Sequence, residues 1–300
     1  KRIIGQRKAL KVVSETIRRS RAGLADQKKP IGTFLFMGPT GVGKTEVART
    51  LADFLFGGER SMVRLDMSEY SEKHSVAKLI GSPPGYIGFE EGGQLTAAVD
   101  QKPYSVVLLD EIEKAHPAVF NLLLQLLDEG RLTDSHGKTV NFRNTIIIMT
   151  SNIASNIIAE LHKADTAESE GLNLEAEDLL MDKVKENFSM EFINRIDEIV
   201  IFDPLSLVEI ESIVDLKLAT IDKLLDKKAM RLYLDQSAKE LLARHGYSPE
   251  FGARYLQRSI QKELTNPLSD FLLRGDVGGG DPIVVEAVGD ELVFKVPKNT

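Results

Sequence analysis

The sequence predicts an α/β fold, a parallel five-stranded sheet flanked by helices, followed by a small, mainly helical C-terminal domain that ends in a β-hairpin. Two observations carry that expectation. Short apolar, β-branched runs recur at 33–37, 62–66, 105–110, 145–150 and 198–202, and amphipathic stretches such as 45–56 and 118–128 lie between them. The texture changes after Asp203-Pro204, where 207–225, 237–244 and 251–273 all read as helices. Continuous apolar strands separated by helices indicate βαβ crossovers, whose helices cover both faces of a parallel sheet.

Taken in order, the segment 9–21 has helical apolar spacing at Leu10, Val13 and Ile17. Residues 1–29 also hold ten Lys or Arg against two acids, Glu15 and Asp26. A basic patch could meet nucleic acid, but the helical spacing favours a solvated helix face. The stretch 163–182 is polar and acid-rich and is expected to be an exposed connection. Near the end, 282–288 and 291–296 flank Gly289-Asp290 as a hairpin, preceded by a hinge at Gly278–Gly280. The expected domains are therefore 1–204 and 205–300, with no internal repeat.

Composition narrows the function classes. Of 300 residues 42% are hydrophobic and 28% charged, enough for a core and too apolar for a disordered chain. Thirty-eight bases against 45 acids leave a net charge of −7, which disfavours a globally basic nucleic-acid binder. The absence of Cys removes disulfides, thiolate metal sites and cysteine nucleophiles, and it fits a reducing compartment. No apolar run approaches the roughly 18 residues of a membrane span. The chain begins at Lys1 without Met or a cationic-then-apolar leader and so reads as a fragment. The expected location is the cytoplasm, or an organelle matrix if a targeting segment precedes Lys1. The five His lack metal-ligand spacing and read as surface or capping residues.

The sharpest motif is Gly38-Pro39-Thr40-Gly41-Val42-Gly43-Lys44-Thr45, a P-loop between an expected strand and an expected helix. Its glycines let backbone N–H groups curl around phosphate oxygens, and the helix adds its positive N-terminal end. Lys44 would reach the β- and γ-phosphates of ATP, and the Thr45 hydroxyl would hold Mg²⁺. Some 65 positions on, Val106-Val107-Leu108-Leu109-Asp110-Glu111 is a buried strand ending in two carboxylates. Asp110 fits the Mg²⁺-water ligand and Glu111 the base that polarises attacking water, since one carboxylate cannot serve both. A further strand ends in Thr150-Ser151-Asn152, where Asn152 could orient that water or close a turn.

These motifs, with Phe192-Ile193-Asn194-Arg195-Ile196-Asp197 and Phe251-Gly252-Ala253-Arg254, follow the order and spacing of the AAA+ ATPases. More narrowly, the chain resembles the second ATPase module of the Clp/heat-shock-hundred family. That likeness rests on the run from Ser68 to Val76, on Gly85-Tyr86-Ile87-Gly88, on Asp110-Glu111-Ile112-Glu113-Lys114-Ala115-His116 and on Gly130-Arg131-Leu132-Thr133-Asp134. It extends from Ile4-Gly5-Gln6 to the terminal hairpin. The resemblance implies that Ile3 and Ile4 line an adenine pocket and that Asn152 senses the γ-phosphate. It makes Arg195 an arginine finger reaching a neighbouring subunit's nucleotide, and Arg254 a sensor in cis. The residues alone would have given Arg195 a surface salt bridge. The resemblance also implies that Tyr86, with Ile87, is a pore loop gripping polypeptide, and that 130–138 is a second pore loop. An aromatic ring between glycines suits that grip, because it contacts any chain without reading sequence.

Within the family, peptidase-coupled members carry an apolar-Gly-apolar tripeptide soon after the Thr-Ser-Asn strand. Here 153–188 offers only Glu170-Gly171-Leu172, and Ile87-Gly88-Phe89 lies inside the pore loop. The expected function is therefore an ATP-driven disaggregase module of the ClpB type, in a ring expected to be hexameric, with co-chaperones. The alternative is an unfoldase of the ClpA or ClpC type feeding a peptidase. A nucleic-acid motor would want Lys, Arg and stacking aromatics in the pore, whereas Glu90 and Glu91 follow the pore aromatic. A regulatory module without turnover fits poorly with intact Lys44, Glu111 and Arg195.

Overall fold

The computed structural model describes residues 2–82, 92–164, 170–227, 230–248, 251–274 and 282–296, with side chains left undescribed over 161–177. The chain forms two compact units, one of Gln6–Pro39 with Gly43–Asp203, the other of Lys1–Gly5, Thr40–Val42 and Pro204–Thr300.

In the first unit the strands are β1 (Gly32–Met37), β2 (Met62–Asp66), β3 (Val106–Asp110), β4 (Arg131–Thr133), β5 (Thr139–Asn141), β6 (Ile146–Ser151) and β7 (Glu198–Ile201). The helices are α1 (Arg7–Arg21), α2 (Lys44–Phe56), α3 (Ala77–Ile80), α4 (Gln94–Gln101), α5 (Pro117–Glu129), α6 (Ser155–Ala164), α7 (Glu170–Asn187) and α8 (Met190–Ile193). The sheet has the order β2-β3-β6-β1-β7, and every pairing is parallel. The five expected runs are thus the five strands of one sheet. Every residue of β1 and β6 is buried, whereas β2 and β7 at the edges are only partly so. Leu35, Met37, Val107, Leu109, Ile147 and Met149 share one apolar cluster with Val119, Leu123, Leu126 and Leu127 of α5. Phe34, Phe36, Leu108 and Ile148, of the opposite parity, are equally buried. Apolar runs without alternation are what a sheet covered on both faces requires.

The exposed connection expected over 163–182 is corrected over its described part, residues 165–169 lying outside the described residues. The backbone of Glu170–Asn187 is helical, and Leu180, Val184 and Phe188 are buried. Polar, acid-rich composition concealed a helix that, among its described side chains, buries Leu180 and Val184 at a spacing of four, with Phe188 just past its end. The second expected pore loop is a hairpin: β4 and β5 pair antiparallel, and Asp134 Oδ1 accepts the amides of His136 and Lys138, both at 2.9 Å.

The second unit contains α9 (Leu207–Asp226), β8 (Arg231–Leu234), α10 (Gln236–Gly246), α11 (Leu256–Ser259), α12 (Asn266–Leu273), β9 (Pro282–Val288) and β10 (Glu291–Lys295). The terminal hairpin is present, turning at Gly289 with φ 64°. It is joined by β8, which pairs parallel with β9 and which the sequence pattern did not predict. The long helix expected over 251–273 is also corrected. It starts at Leu256 and widens into a π-helical turn at Ile260–Thr265 before α12. Pro267 in the first turn of α12 has no N–H to continue the ordinary ladder. On α9, Ile210, Val214 and Leu218 recur every four residues and pack with Leu242, Leu264 and Ile283 in one core. The Gly278–Gly280 hinge lies outside the described residues.

Candidate active site

The strand order places the tips of β1, β6 and β3 side by side, and each tip carries one of the motifs. From β1 the chain turns through Gly38, at φ 150°, where a Cβ would run into the Phe202 carbonyl. It enters α2 through Gly43, at φ 107°, where a Cβ would meet nothing within 4 Å. The demand for glycine at 43 is therefore one of backbone conformation, and the space beside it stays open.

Lys44, the first residue of α2, is only 8% exposed. Its Nζ donates to the carbonyl of Gly38, to that of Pro39 at 2.9 Å and to Asn152 Oδ1 at 2.8 Å. Those three acceptors use all three ammonium donors. Burial pulls the pKa down to about 8, against the opposing fields of Glu113, Asp110 and Glu111. A cation whose desolvation outweighs three nearby carboxylates is poised to take an anion.

At the tip of β3, Asp110 Oδ1 accepts the Thr150 hydroxyl from β6. Its Oδ2 accepts Arg64 Nε and Nη2 from β2, at 3.1 and 2.6 Å. Glu111 follows in the left-handed region at φ 56°, its amide donating to Thr150 Oγ1 at 3.1 Å. Such a conformation costs a bulky residue of order 1–3 kcal/mol and is found most often at functional sites. Here it ends β3 at Asp110 and leads into the turn Ile112–Lys114. Lys114 Nζ donates to Glu111 Oε2. Thr45 directly follows Lys44, so one hydroxyl and the Asp110 carboxylate offer hard oxygen donors. No cluster of three or more His, Cys, Asp or Glu able to cage a metal exists among the described residues. That donor set suits Mg²⁺, which one or two protein oxygens share with waters and phosphates.

Asn152 directly follows β6, ahead of the left-handed Ala154 at φ 60°. Its own amide donates to Glu113 Oε1 at 3.1 Å. The other expected residues are placed elsewhere. Arg195, after α8, donates through Nε to both Asp128 oxygens at 3.1 Å and through Nη1 to the Glu191 carbonyl at 3.0 Å. None of those partners belongs to the Lys44 cluster. Ile3 and Ile4 are half-buried, next to Gln6, whose buried amide exchanges two hydrogen bonds with the Asp203 backbone at 2.8 and 3.1 Å. In the second unit Arg254 is exposed, its amide donating to the Phe251 carbonyl at 3.1 Å, and the Ala253 amide approaches the Gly41 carbonyl at 3.4 Å. Thr40 and Val42 belong to that unit too. Tyr86 and Ile87 lie outside the described residues. His116 caps α5, its Nδ1 accepting the Ala118 amide at 3.1 Å.

Sequence reasoning passed over Glu113, Thr150, Arg64 and Gln6. Glu113 and Thr150 sit inside quoted motifs, but their partners become apparent only once β6 is seen to lie between β1 and β3.

A glycine loop, a buried lysine and an Asp-Glu strand tip on a parallel sheet of this order define a P-loop nucleotide-binding module. Comparison with known proteins agrees. Residues 29–199 match the AAA domain (Cdc48 subfamily), and 205–285 match the C-terminal, D2-small domain of ClpB protein. The chain belongs to the AAA family and corresponds within it to the C-terminal ATPase module of ClpB chaperones. It is 54% identical to the chaperone protein ClpB of Aquifex aeolicus over 99% of this chain and 30% of that protein. Identity to the ClpB of Vibrio cholerae is 53%, over 98% of this chain and 34% of the relative. A probable chaperone protein ClpB 1 of Chlorobaculum tepidum is 49% identical, over 98% of this chain and 68% of its own length. Against most of these relatives the chain spans about a third of their length.

Proposed function

We propose that the chain binds Mg-ATP at the tips of β1, β6 and β3 and hydrolyses it to ADP and phosphate. In the whole protein that turnover would drive the unfolding of polypeptides threaded through a ring pore, as in a disaggregase of the ClpB kind. The observation that supports this best is the meeting of Lys44, Asn152 and the Asp110-Glu111 pair at three adjacent strand tips.

In this reading Lys44 exchanges its carbonyl acceptors for β- and γ-phosphate oxygens, gaining charge-assisted bonds for neutral ones. The backbone of Gly38, Pro39, Thr40, Gly41, Val42 and Gly43 wraps the phosphates, and Ile3 and Ile4 take the adenine. Glu111 leaves Lys114 to accept a proton from the attacking water at a carboxylate oxygen, while the Asn152 amide orients that water against the γ-phosphate. Bound Mg²⁺, held through Thr45 and Asp110, supplies neutralisation of phosphate charge. Arg195 serves a neighbouring subunit's nucleotide and Arg254 its own. Tyr86 and Ile87 grip the translocating chain.

The reading includes a large domain over 1–204, a small one over 205–300, a hexameric ring, co-chaperones and a role in stress response in the cytoplasm. The absence of Cys supports a reducing compartment. The lack of an apolar-Gly-apolar tripeptide in 153–188 supports work without a peptidase. Net negative charge and the Glu90-Glu91 pair support polypeptide over nucleic acid as substrate. No described helix is long and apolar enough to cross a membrane.

The test is the separation of binding from chemistry. Glu111→Gln should bind ATP within a few-fold of the parent and lose turnover by roughly 10²- to 10⁴-fold. Lys44→Ala should lose affinity instead. Phosphate release measured beside nucleotide titration decides, and near-parental turnover by Glu111→Gln contradicts the assignment.

A further inference from the structure

Glu113 has no part in the phosphate machinery described above, yet it is built into it. It sits in the single 3-10 turn Ile112–Lys114 that follows β3, between the fully buried Ile112 and the exposed Lys114. Its Oε1 accepts the Asn152 backbone amide at 3.1 Å. Its Oε2 is shielded from solvent and accepts no hydrogen bond from the described residues. A carboxylate held this way is unfavourable for stability alone, because a buried oxygen without a donor loses its hydration for nothing.

The peptide it holds is the one that matters for the chemistry. Asn152 presents Oδ1 to Lys44 Nζ at 2.8 Å. The far side of the same turn is fixed as well, since the Ser155 hydroxyl donates to the Asn152 carbonyl at 2.6 Å and the Ile153 amide to Ser151 Oγ at 3.1 Å. Glu113, Asn152 and Lys44 thus form one chain of contacts running from the turn after β3, across the tip of β6, to the start of α2. Glu113 also contributes the largest of the favourable carboxylate fields at Lys44.

We propose that Glu113 is a positioning residue for nucleotide turnover: by gripping the Asn152 amide it sets the side-chain amide at the point where the γ-phosphate is read. The inference rests on the ATPase reading above. It assigns to Glu113 no contact with nucleotide. Its hydrogen bond acts through Asn152, while the field it adds at Lys44 is shared with Asp110 and Glu111, so its loss should appear chiefly in turnover and in the preference for ATP over ADP, with little change in ADP affinity.

Four single variants of the full-length protein, Glu113→Ala, Glu113→Gln, Glu113→Asp and Asn152→Ala, and the combination of Glu113→Ala with Asn152→Ala test this. In each, kcat and KM for ATP are measured beside the dissociation constants of ADP and of a non-hydrolysable ATP analogue. Glu113→Ala should lower kcat by roughly 10- to 100-fold, as a displaced catalytic group does, with ADP affinity within about twofold of the parent. Glu113→Gln keeps the acceptor and should stay within about threefold of parental kcat. Glu113→Asp keeps the charge but withdraws the acceptor by one methylene, and should follow Ala. Combining Glu113→Ala with Asn152→Ala should cost no more than Asn152→Ala alone, because the two act through one group. Parental kcat in Glu113→Ala and Glu113→Asp, with Asn152→Ala impaired, overturns the inference and leaves the ATPase reading standing. So does equal impairment of Gln and Ala, or a loss of ADP affinity as large as the loss of kcat. If Glu113→Ala fails to fold, the opposition of Gln and Asp decides the matter in the same way. Parental turnover in both Asn152→Ala and Glu111→Gln removes the ATPase reading itself, and this inference with it.

Discussion

Lys44 carries two opposed demands, a buried position and a positive charge, and the balance has consequences for pH. Its pKa falls from 10.5 to about 8, with desolvation the first cause. Between those values the unfolded chain holds a proton that the native chain has released. Native stability contributed at Lys44 therefore rises with pH across this window, and the full cost of the buried charge is present below pH 8. Relative to Lys44→Met, the parent should gain up to about 3 kcal/mol between pH 8 and 10.5, read by denaturant unfolding at each pH. Nucleotide affinity should run the other way. Phosphate needs the charged lysine, so above pH 8 each added unit should weaken ATP binding by up to about tenfold. Affinity that is flat from pH 7 to 10 would show that Lys44 does not meet the phosphates. Legibility at this scale followed spacing. The glycines and Lys44 stand out because their chemistry is local, eight residues in one loop. Glu113 and Thr150 do not, because their partners are Asn152 and Asp110, brought near by strand order alone.

Caps and chain texture decide the elements. Helix α9 opens with a reciprocal cap: Ser206 Oγ accepts the Glu209 amide at 3.3 Å while Glu209 Oε2 accepts the Ser206 amide at 2.8 Å. Ser206→Ala should cost about 1 kcal/mol of stability, read as a lowered denaturation midpoint with unchanged slope. No change would mean that water caps the helix equally well. Helix α2 is preceded by Gly43 at its N-cap, at positive φ and with nothing within 4 Å of where a Cβ would sit. There Gly43→Ala should cost only the strain of roughly 1–2 kcal/mol that L-residues bear at positive φ. The central strands were legible because double burial leaves β1 and β6 no solvent-facing positions, and their cores Phe34–Met37 and Ile146–Met149 read as unbroken apolar runs. By contrast, β8 is Arg-Leu-Tyr-Leu, four alternating residues between two helices, and half its signal is solvent-facing. Helix α7 was missed for a similar reason: among its described side chains Leu180 and Val184 are buried between charged residues, with Phe188 just beyond its end. The π-helical turn needed Pro267 to be placed inside a helix, whereas local rules place it near an end.

At the scale of the whole molecule the account depends on assembly. Arg195 is held by Asp128 and Glu191, about a quarter exposed at 28%, and bound to no group of its own chain's Lys44 cluster. If it completes a neighbour's site, turnover per subunit must rise with protein concentration. Mixing Arg195→Ala with Lys44→Ala subunits should then restore part of the activity that each lacks alone, because one supplies a pocket and the other a finger. No restoration, with flat specific activity on dilution, would leave Arg195 a surface ion pair. The central claim is that the energy released at the strand tips does work on a polypeptide. The most direct measurement is unfolding of a tagged substrate per ATP consumed, in rings of full-length subunits carrying Tyr86→Ala or Tyr86→Phe. Neither change touches Lys44, Asp110, Glu111 or Arg195, so basal hydrolysis should stay within a few-fold. Tyr86→Ala should abolish most unfolding per ATP, and Tyr86→Phe should keep it, since on the proposed reading the face of the ring would make the grip. Parental unfolding per ATP in Tyr86→Ala, or loss in Tyr86→Phe as deep as in Ala, would contradict the claim.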